Sequence, residues 1–151
     1  MKRSTIKRKS YERKREMIAI EDTNHILTII EHNGACMRTR AQIKNNISRI
    51  LIPKFVIKEV QKIKDLTEFE IVQTVSSLLK KKVSLIKCNS DVKIAATQLE
   101  LKYPKTHFPD SLLLALAEFG TYGILTYDHG ILNCAKSEGI LTITPKWNGC
   151  Q

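Results

Sequence analysis

From residue 17 onward, short apolar runs alternate with amphipathic stretches, and that alternation constrains the fold more than any other feature. Met17-Ile18-Ala19-Ile20, Val83-Ser84-Leu85-Ile86, Ile124-Leu125-Thr126-Tyr127 and Ile140-Leu141-Thr142-Ile143 have the length and content of buried strands. Helices are predicted between them. Residues 24–33 carry Ile26, Ile29 and Ile30 on one face, with Asp22 or Thr23 as the cap. The polar stretch 36–49 predicts a second, less regular helix. Leu51-Ile52 leads into Pro53, which suits the first position of a helix running to about Ile63 on a stripe of Val56, Val60 and Ile63.

Residues 67–81 offer Phe69, Val72, Val75 and Leu79. Residues 90–102 offer Val92, Ala95, Ala96 and Leu99, with Tyr103 just beyond. Residues 110–119, opened by Pro109, are apolar on most sides, which predicts a central helix. A last helix spans 129–138 and stops at Gly139. Strands separated by helices imply an α/β domain around a mostly parallel sheet. At 151 residues the chain suits one such core.

The hydrophobic fraction of 42% and charged fraction of 26% exclude a mainly disordered or fibrous chain. Net charge is +10, which implies a polyanionic partner. It is unevenly spread. Residues 1–16 hold eight of the 25 basic residues, including Lys7, Arg8 and Lys9, and two acids, a net +6 that leaves +4 for residues 17–151. This tail reads as a flexible extension that contacts nucleic acid, solubilises the chain, or reflects a misplaced start. No acid occurs between Glu31 and Glu59, where Arg38, Arg40, Lys44, Arg49, Lys54 and Lys58 lie. With Lys80, Lys81 and Lys82, these are expected to rim a phosphate-backbone site. No run is long and apolar enough to span a bilayer, and the basic N-terminus lacks the apolar segment of a secretory signal. The expectation is a cytoplasmic protein with no membrane partner. Cys36, Cys88, Cys134 and Cys150 form no C-x-x-C pair, so thiols are expected rather than zinc ligands.

Ligands of parallel α/β sheets bind beyond the carboxyl ends of the strands. Asp22 follows the first strand and Asp128 the strand at 124–127; Asp110 opens the apolar helix, and Glu59 borders the stripe before Val60. Each alone reads as a turn, cap or solvated residue. Four acids at one end of one sheet in a basic protein repel, unless one protonates or a cation binds. An all-oxygen site favours Mg²⁺ or Mn²⁺.

Four stretches together resemble the motifs of PIN-domain nucleases, in the single-domain VapC-like form. They are residues 17–27 (MIAIEDTNHIL), 51–60 (LIPKFVIKEV), 108–117 (FPDSLLLALA) and 124–131 (ILTYDHGI), in order and over residues 17 to about 145. The resemblance implies a PIN-like three-layer α/β/α domain over 17–151, with about four to five strands. It implies a Mg²⁺- or Mn²⁺-dependent ribonuclease whose acidic pocket is Asp22, Glu59, Asp110 and Asp128, with one or two metal ions. Thr126 would support Asp128, and Asn24 would help hold metal, water or a neighbouring acid. Asp22 and Asp110 are the first choices as direct ligands. His25, after Asn24, departs from the pattern, as does the basic tail.

The partners implied are single-stranded or structured RNA, an antitoxin polypeptide and a second copy of the chain. The alternatives are an RNA-processing or decay nuclease without antitoxin, and a non-catalytic RNA-binding protein on the same scaffold. His107 and His129, near two of the acids, read as rim or hydrogen-bonding residues, because metal-assisted hydrolysis does not require them. An aspartate-nucleophile phosphatase would need Asp-x-Asp where this chain has Asn24.

Overall fold

A computed structural model describes residues 17–35 and 37–143; the basic tail, with Lys7, Arg8 and Lys9, lies outside them, as do Cys36 and Cys150. Five strands form one all-parallel sheet: β1 (Met17–Glu21), β2 (Ile47–Pro53), β3 (Val83–Ile86), β4 (Gly123–Leu125) and β5 (Thr142–Ile143), in the order β3-β2-β1-β4-β5. Seven helices among the described residues cover it: α1 (Thr23–Glu31), α2 (Met37–Asn46), α3 (Lys54–Ile63), α4 (Glu68–Leu79), α5 (Ser90–Lys102), α6 (Asp110–Gly120) and α7 (His129–Glu138).

Strand alternation sorts the core into two layers. Ala19, Ile50, Ile52 and Leu125 face α1, α3 and α4, where they meet Ile26, Ile29, Val56, Val60, Ile71 and Val75. Ile20, Leu51 and Ile124 face the other way, onto Val92, Ala96, Leu99, the 112–117 run of α6, and Ile131 of α7. Both faces of the sheet are therefore buried, as continuous apolar strands require. The α6 helix is apolar all round because it packs on the sheet, on α5 and on α7.

Three expectations need correction. The stretch 36–49 is not helical to its end: the helix stops at Asn46 and β2 begins at Ile47, pairing with β1 from Met17. Pro53 is therefore the last residue of β2 and the N-cap of α3, not its first helical residue. The stripes of α3 and α4 are rotated. Ile57 and Ile71 are buried, while Ile63 and Phe69 are 61% and 70% exposed. At Gly120 the Tyr122 ring packs where a Cβ would sit, 2.1 Å away, so a larger residue there would displace that ring. No helix among the described residues is long and apolar enough to cross a membrane.

Candidate active site

The chain adds β2 and β3 on one side of β1 and then β4 and β5 on the other, so the strand order reverses between β1 and β4. Such a switch point opens a crevice at the carboxyl ends of the two strands. Asp22 and Asp128 flank it. Asp22 is the N-cap of α1, its Oδ1 accepting the Thr23 N–H at 2.8 Å. Its Oδ2 accepts the hydroxyl of fully buried Thr126 at 2.7 Å. The same Thr126 Oγ1 accepts the Asp128 N–H at 3.0 Å. One hydroxyl thus joins the acids that follow two neighbouring strands.

Asp128 caps α7, its Oδ1 accepting the Ile131 N–H at 3.0 Å. Glu59, on the second turn of α3, accepts the Thr23 hydroxyl at 2.7 Å on Oε1. Asp110 is the first residue of α6, half-buried and without a hydrogen bond among the described residues. The bland reading of these aspartates as helix-terminal residues is correct, and it does not compete with the site. Helices that follow parallel strands begin at the same end of the sheet, so their caps and first turns gather there.

The electrostatics bring all four acids together. Burial pushes the Asp110 carboxyl up to about 6, with the charges of Asp128, Asp22 and Glu59 adding to the shift and His107 opposing it. Burial likewise raises Asp22, against the hydrogen bonds from Thr126 and Thr23; Asp128 and Glu59 raise it further. The N-termini of α1, α6 and α7 offer only partial positive charge in return. No lysine or arginine pairs with any of the four among the described residues.

The donor chemistry suits a hard divalent cation: oxygen only, negative, with Asp110 and one oxygen each of Glu59 and Asp128 unengaged. Among the described residues no three His, Cys, Asp or Glu side chains are gathered into a ready-made ligand shell. The carboxylates feel one another without closing on a single point.

Asn24 has a mechanical role. Its Oδ1 accepts the Tyr127 N–H at 3.0 Å, with Thr126 Oγ1 at 3.5 Å, so it pins the loop that carries Asp128. Sequence reasoning missed three residues. Thr23 links Asp22 to Glu59. Glu21 and His25 are both fully buried, with His25 Nδ1 2.6 Å from Glu21 Oε2 and the His25 ring stacked on Tyr127 at 5.8 Å. Glu21 shares strand parity with Ala19, so the pair lies in the opposite layer from the α5–α7 core. His25 therefore points into the core and is closed to solvent. The available signal was a strand-terminal Glu and a helix His four residues on, at positions where burial normally selects apolar residues.

The basic residues divide by end of the sheet. Arg49 pairs with Ile18 near the start of β1, and Lys81 Nζ donates to the Lys44 carbonyl at 3.2 Å, beside the starts of β2 and β3. Lys44, Arg49 and Lys80 to Lys82 thus lie at the amino end, away from the acids, because a parallel register puts all strand starts together. Arg40 is exposed on α2, and the Arg38 side chain lies outside the described part. Other cations follow the carboxyl ends of the strands: Lys54 and Lys58 on α3, with Lys54 paired to Glu68 at 2.9 Å, and Lys87 after β3. Lys105, in the loop before α6, lies along α7 with Asn133 and Ser137. His107 and His129 are exposed beside Asp110 and Asp128.

No family model and no curated protein matches the sequence. Solved structures do. A chain of a toxin–antitoxin complex from Klebsiella pneumoniae is 22% identical, with a TM-score of 0.59 over 85% of this chain and 98% of that one. A chain of VapBC2 from Rickettsia felis, bound to a DNA fragment of its promoter, is 13% identical, with a TM-score of 0.64 over 86% and 100%. VapC20 of Mycobacterium tuberculosis, a toxin that cleaves the sarcin–ricin loop, is 12% identical, with a TM-score of 0.58 over 84% and 99%. At these identities the likeness is one of fold. The molecule is a PIN-like α/β domain. Its neighbours of this fold include VapC20 and a chain of VapBC2, each matched over nearly its whole length.

Proposed function

We propose that this protein is a metal-dependent endoribonuclease, with Asp22, Glu59, Asp110 and Asp128 as its active-site acids. We further infer that it acts as the toxin of a toxin–antitoxin pair. The observation that carries the reading is the mutual repulsion of four carboxylates at a switch point, with no lysine or arginine paired to them among the described residues. Such an arrangement costs stability and is retained where a ligand of opposite charge completes it. The toxin assignment draws support from fold neighbours taken from such complexes. An antitoxin polypeptide is the partner this implies.

Asp22 and Asp110 would hold Mg²⁺ or Mn²⁺ directly, with Glu59 and Asp128 contributing through water. A cation there lowers the pKa of bound water and neutralises charge on the phosphate. Thr126 and the Thr23 N–H fix the rotamer of Asp22, and Thr23 does the same for Glu59. Asn24 fixes the backbone before Asp128. The unengaged oxygens of Glu59 and Asp128 can orient the attacking water and accept its proton. Lys58, Lys87 and Lys105 would hold the RNA backbone, Lys54 being committed to Glu68; the tail and Arg38, Arg40, Lys44 and Arg49 would serve flanking RNA at greater distance.

Asp22→Asn and Asp110→Asn are expected to slow RNA cleavage in Mn²⁺ by about 100-fold or more, the kinetic equivalent of several kcal/mol of charge stabilisation. Cleavage at the wild-type rate by either variant would overturn the site. Mn²⁺ should raise the melting temperature of the wild type and have much less effect on the variants.

A further inference from the structure

We propose that the cavity between the loop preceding α6 and the outer face of α7 is a nucleobase subsite. It would receive the nucleotide next to the scissile phosphate, and this rests on the nuclease reading above. The cavity measures about 430 Å³, within the range of small-molecule sites. One wall is α7, the helix that Asp128 caps. On α7, Gly130 lines the cavity, and a Cβ at that position would stand 3.1 Å from Asp128 Oδ1. On the loop, Thr106 lines it four residues before Asp110. A base seated here belongs to a strand whose phosphate lies at the carboxylates.

The lining has the chemistry of base recognition. The cavity combines an apolar wall of Tyr103, Pro104 and Cys134 with the polar side chains of Lys105, Thr106, Asn133 and Ser137. Tyr103 supplies a flat wall and is held in place: its hydroxyl donates to Glu138 Oε2 at 2.6 Å. Lys102 Nζ bonds the same oxygen at 2.8 Å and sits 5.5 Å from the Tyr103 ring centroid. With Lys102 over the ring and the core behind it, Tyr103 offers a fixed aromatic wall to an unpaired base. The Asn133 carboxamide is exposed and makes no hydrogen bond among the described residues, so it can offer both a donor and an acceptor to a base edge. The charge of Lys102 is already committed to Glu138. That of Lys105 is exposed and unpaired among the described residues, which leaves it for a phosphate.

Two measurements test the assignment. In the first, 5′-AMP, GMP, CMP and UMP, with ribose 5-phosphate as control, are titrated into the metal-free protein and followed by backbone amide shifts. Saturable shifts at Thr106, Asn133 and Ser137 are expected, with Kd on the order of millimolar for so small a ligand. One base should bind about fivefold or more tightly than the weakest. Asn133→Trp, which fills the cavity from an exposed helix position, should abolish the shifts. Shifts equal to those from ribose 5-phosphate, or shifts that persist in Asn133→Trp, would overturn a base site.

In the second, the ends of RNAs cut in Mn²⁺ are mapped. Asn133→Ala should reduce the base preference beside the cut by about fivefold or more; an unchanged preference would overturn the assignment. If the wild type cuts no RNA, the nuclease reading fails, and the mononucleotide titration still decides whether the cavity binds a base.

Discussion

Two groups of carboxylates lie at opposite ends of α7, and they differ in their counter-charge. At the helix start, Asp22, Glu59, Asp110 and Asp128 face one another with hydroxyls and amides for company, and Asp110 is pushed up to about 6. At the helix end, about 15 Å away along a ten-residue helix, Glu138 accepts hydrogen bonds from Lys102 and Tyr103, which hold its carboxyl down at about 2. Burial raises Glu118 beside it, and so does a shared hydrogen bond with Glu138. Glu21 makes a third case: adjacent to Asp22 in sequence, it is buried in the other layer and paired with His25. The compensated acids hold elements together. The uncompensated ones lie where the fold leaves a crevice, and that contrast is what the proposed active site rests on.

The largest stability effect is expected at the buried Glu21–His25 hydrogen bond. His25→Leu strands Glu21 in the core and should cost about 3 kcal/mol or more by urea denaturation. The double variant Glu21→Leu/His25→Leu should recover most of that loss, since two apolar residues can fill the space. Equal destabilisation in single and double variants would mean that the pair is not compensating.

Next comes Thr126→Val, which removes the donor to Asp22 and the acceptor of the Asp128 N–H. A loss of about 2 kcal/mol is expected, and Mn²⁺ binding should weaken with it. Unchanged stability would break the claim that this hydroxyl organises the acids.

Asp110→Asn should stabilise the metal-free protein. Because the folded carboxyl titrates near 6 and the unfolded one near 3.8, the folded state binds more protons between those values, and stability falls as pH rises through them. The gain from Asn should therefore be full above about pH 6 and vanish below about pH 4. Screening of a half-buried group limits it to roughly 1 kcal/mol, or a few degrees in melting temperature. A gain that does not vary with pH would point to packing instead.

The smallest effect should come from Glu138→Gln. Its lowered carboxyl stabilises the fold above the unfolded value of 4.5, and that contribution is lost as pH falls towards 2. A loss of about 1 kcal/mol or less is expected at pH 7 and none near pH 2. A larger loss than that of Thr126→Val would invert the comparison.

Much of this was legible in the sequence because it is local. Strand and helix periods read directly, and a residue just after a strand lies at the carboxyl end whatever the packing. Asp22 and Asp128 could therefore be placed together without coordinates. The errors fell where no local signal exists. Residues 47–50 become strand only by pairing with β1 and β3, because Ser48 and Arg49 interrupt the apolar pattern. Ile63 and Phe69 fit a helical stripe but lie beyond the surface that the sheet covers.

By itself the sequence determined the α/β class, the succession of elements and the four acids at one end of the sheet, since those follow from periodicity and position along the chain. Only the tertiary structure decided which cations share that end, how Thr23, Thr126 and Asn24 hold the acids, and that His25 turns inward to Glu21. Those are relations between side chains brought together from distant parts of the chain, and strand order and register set them.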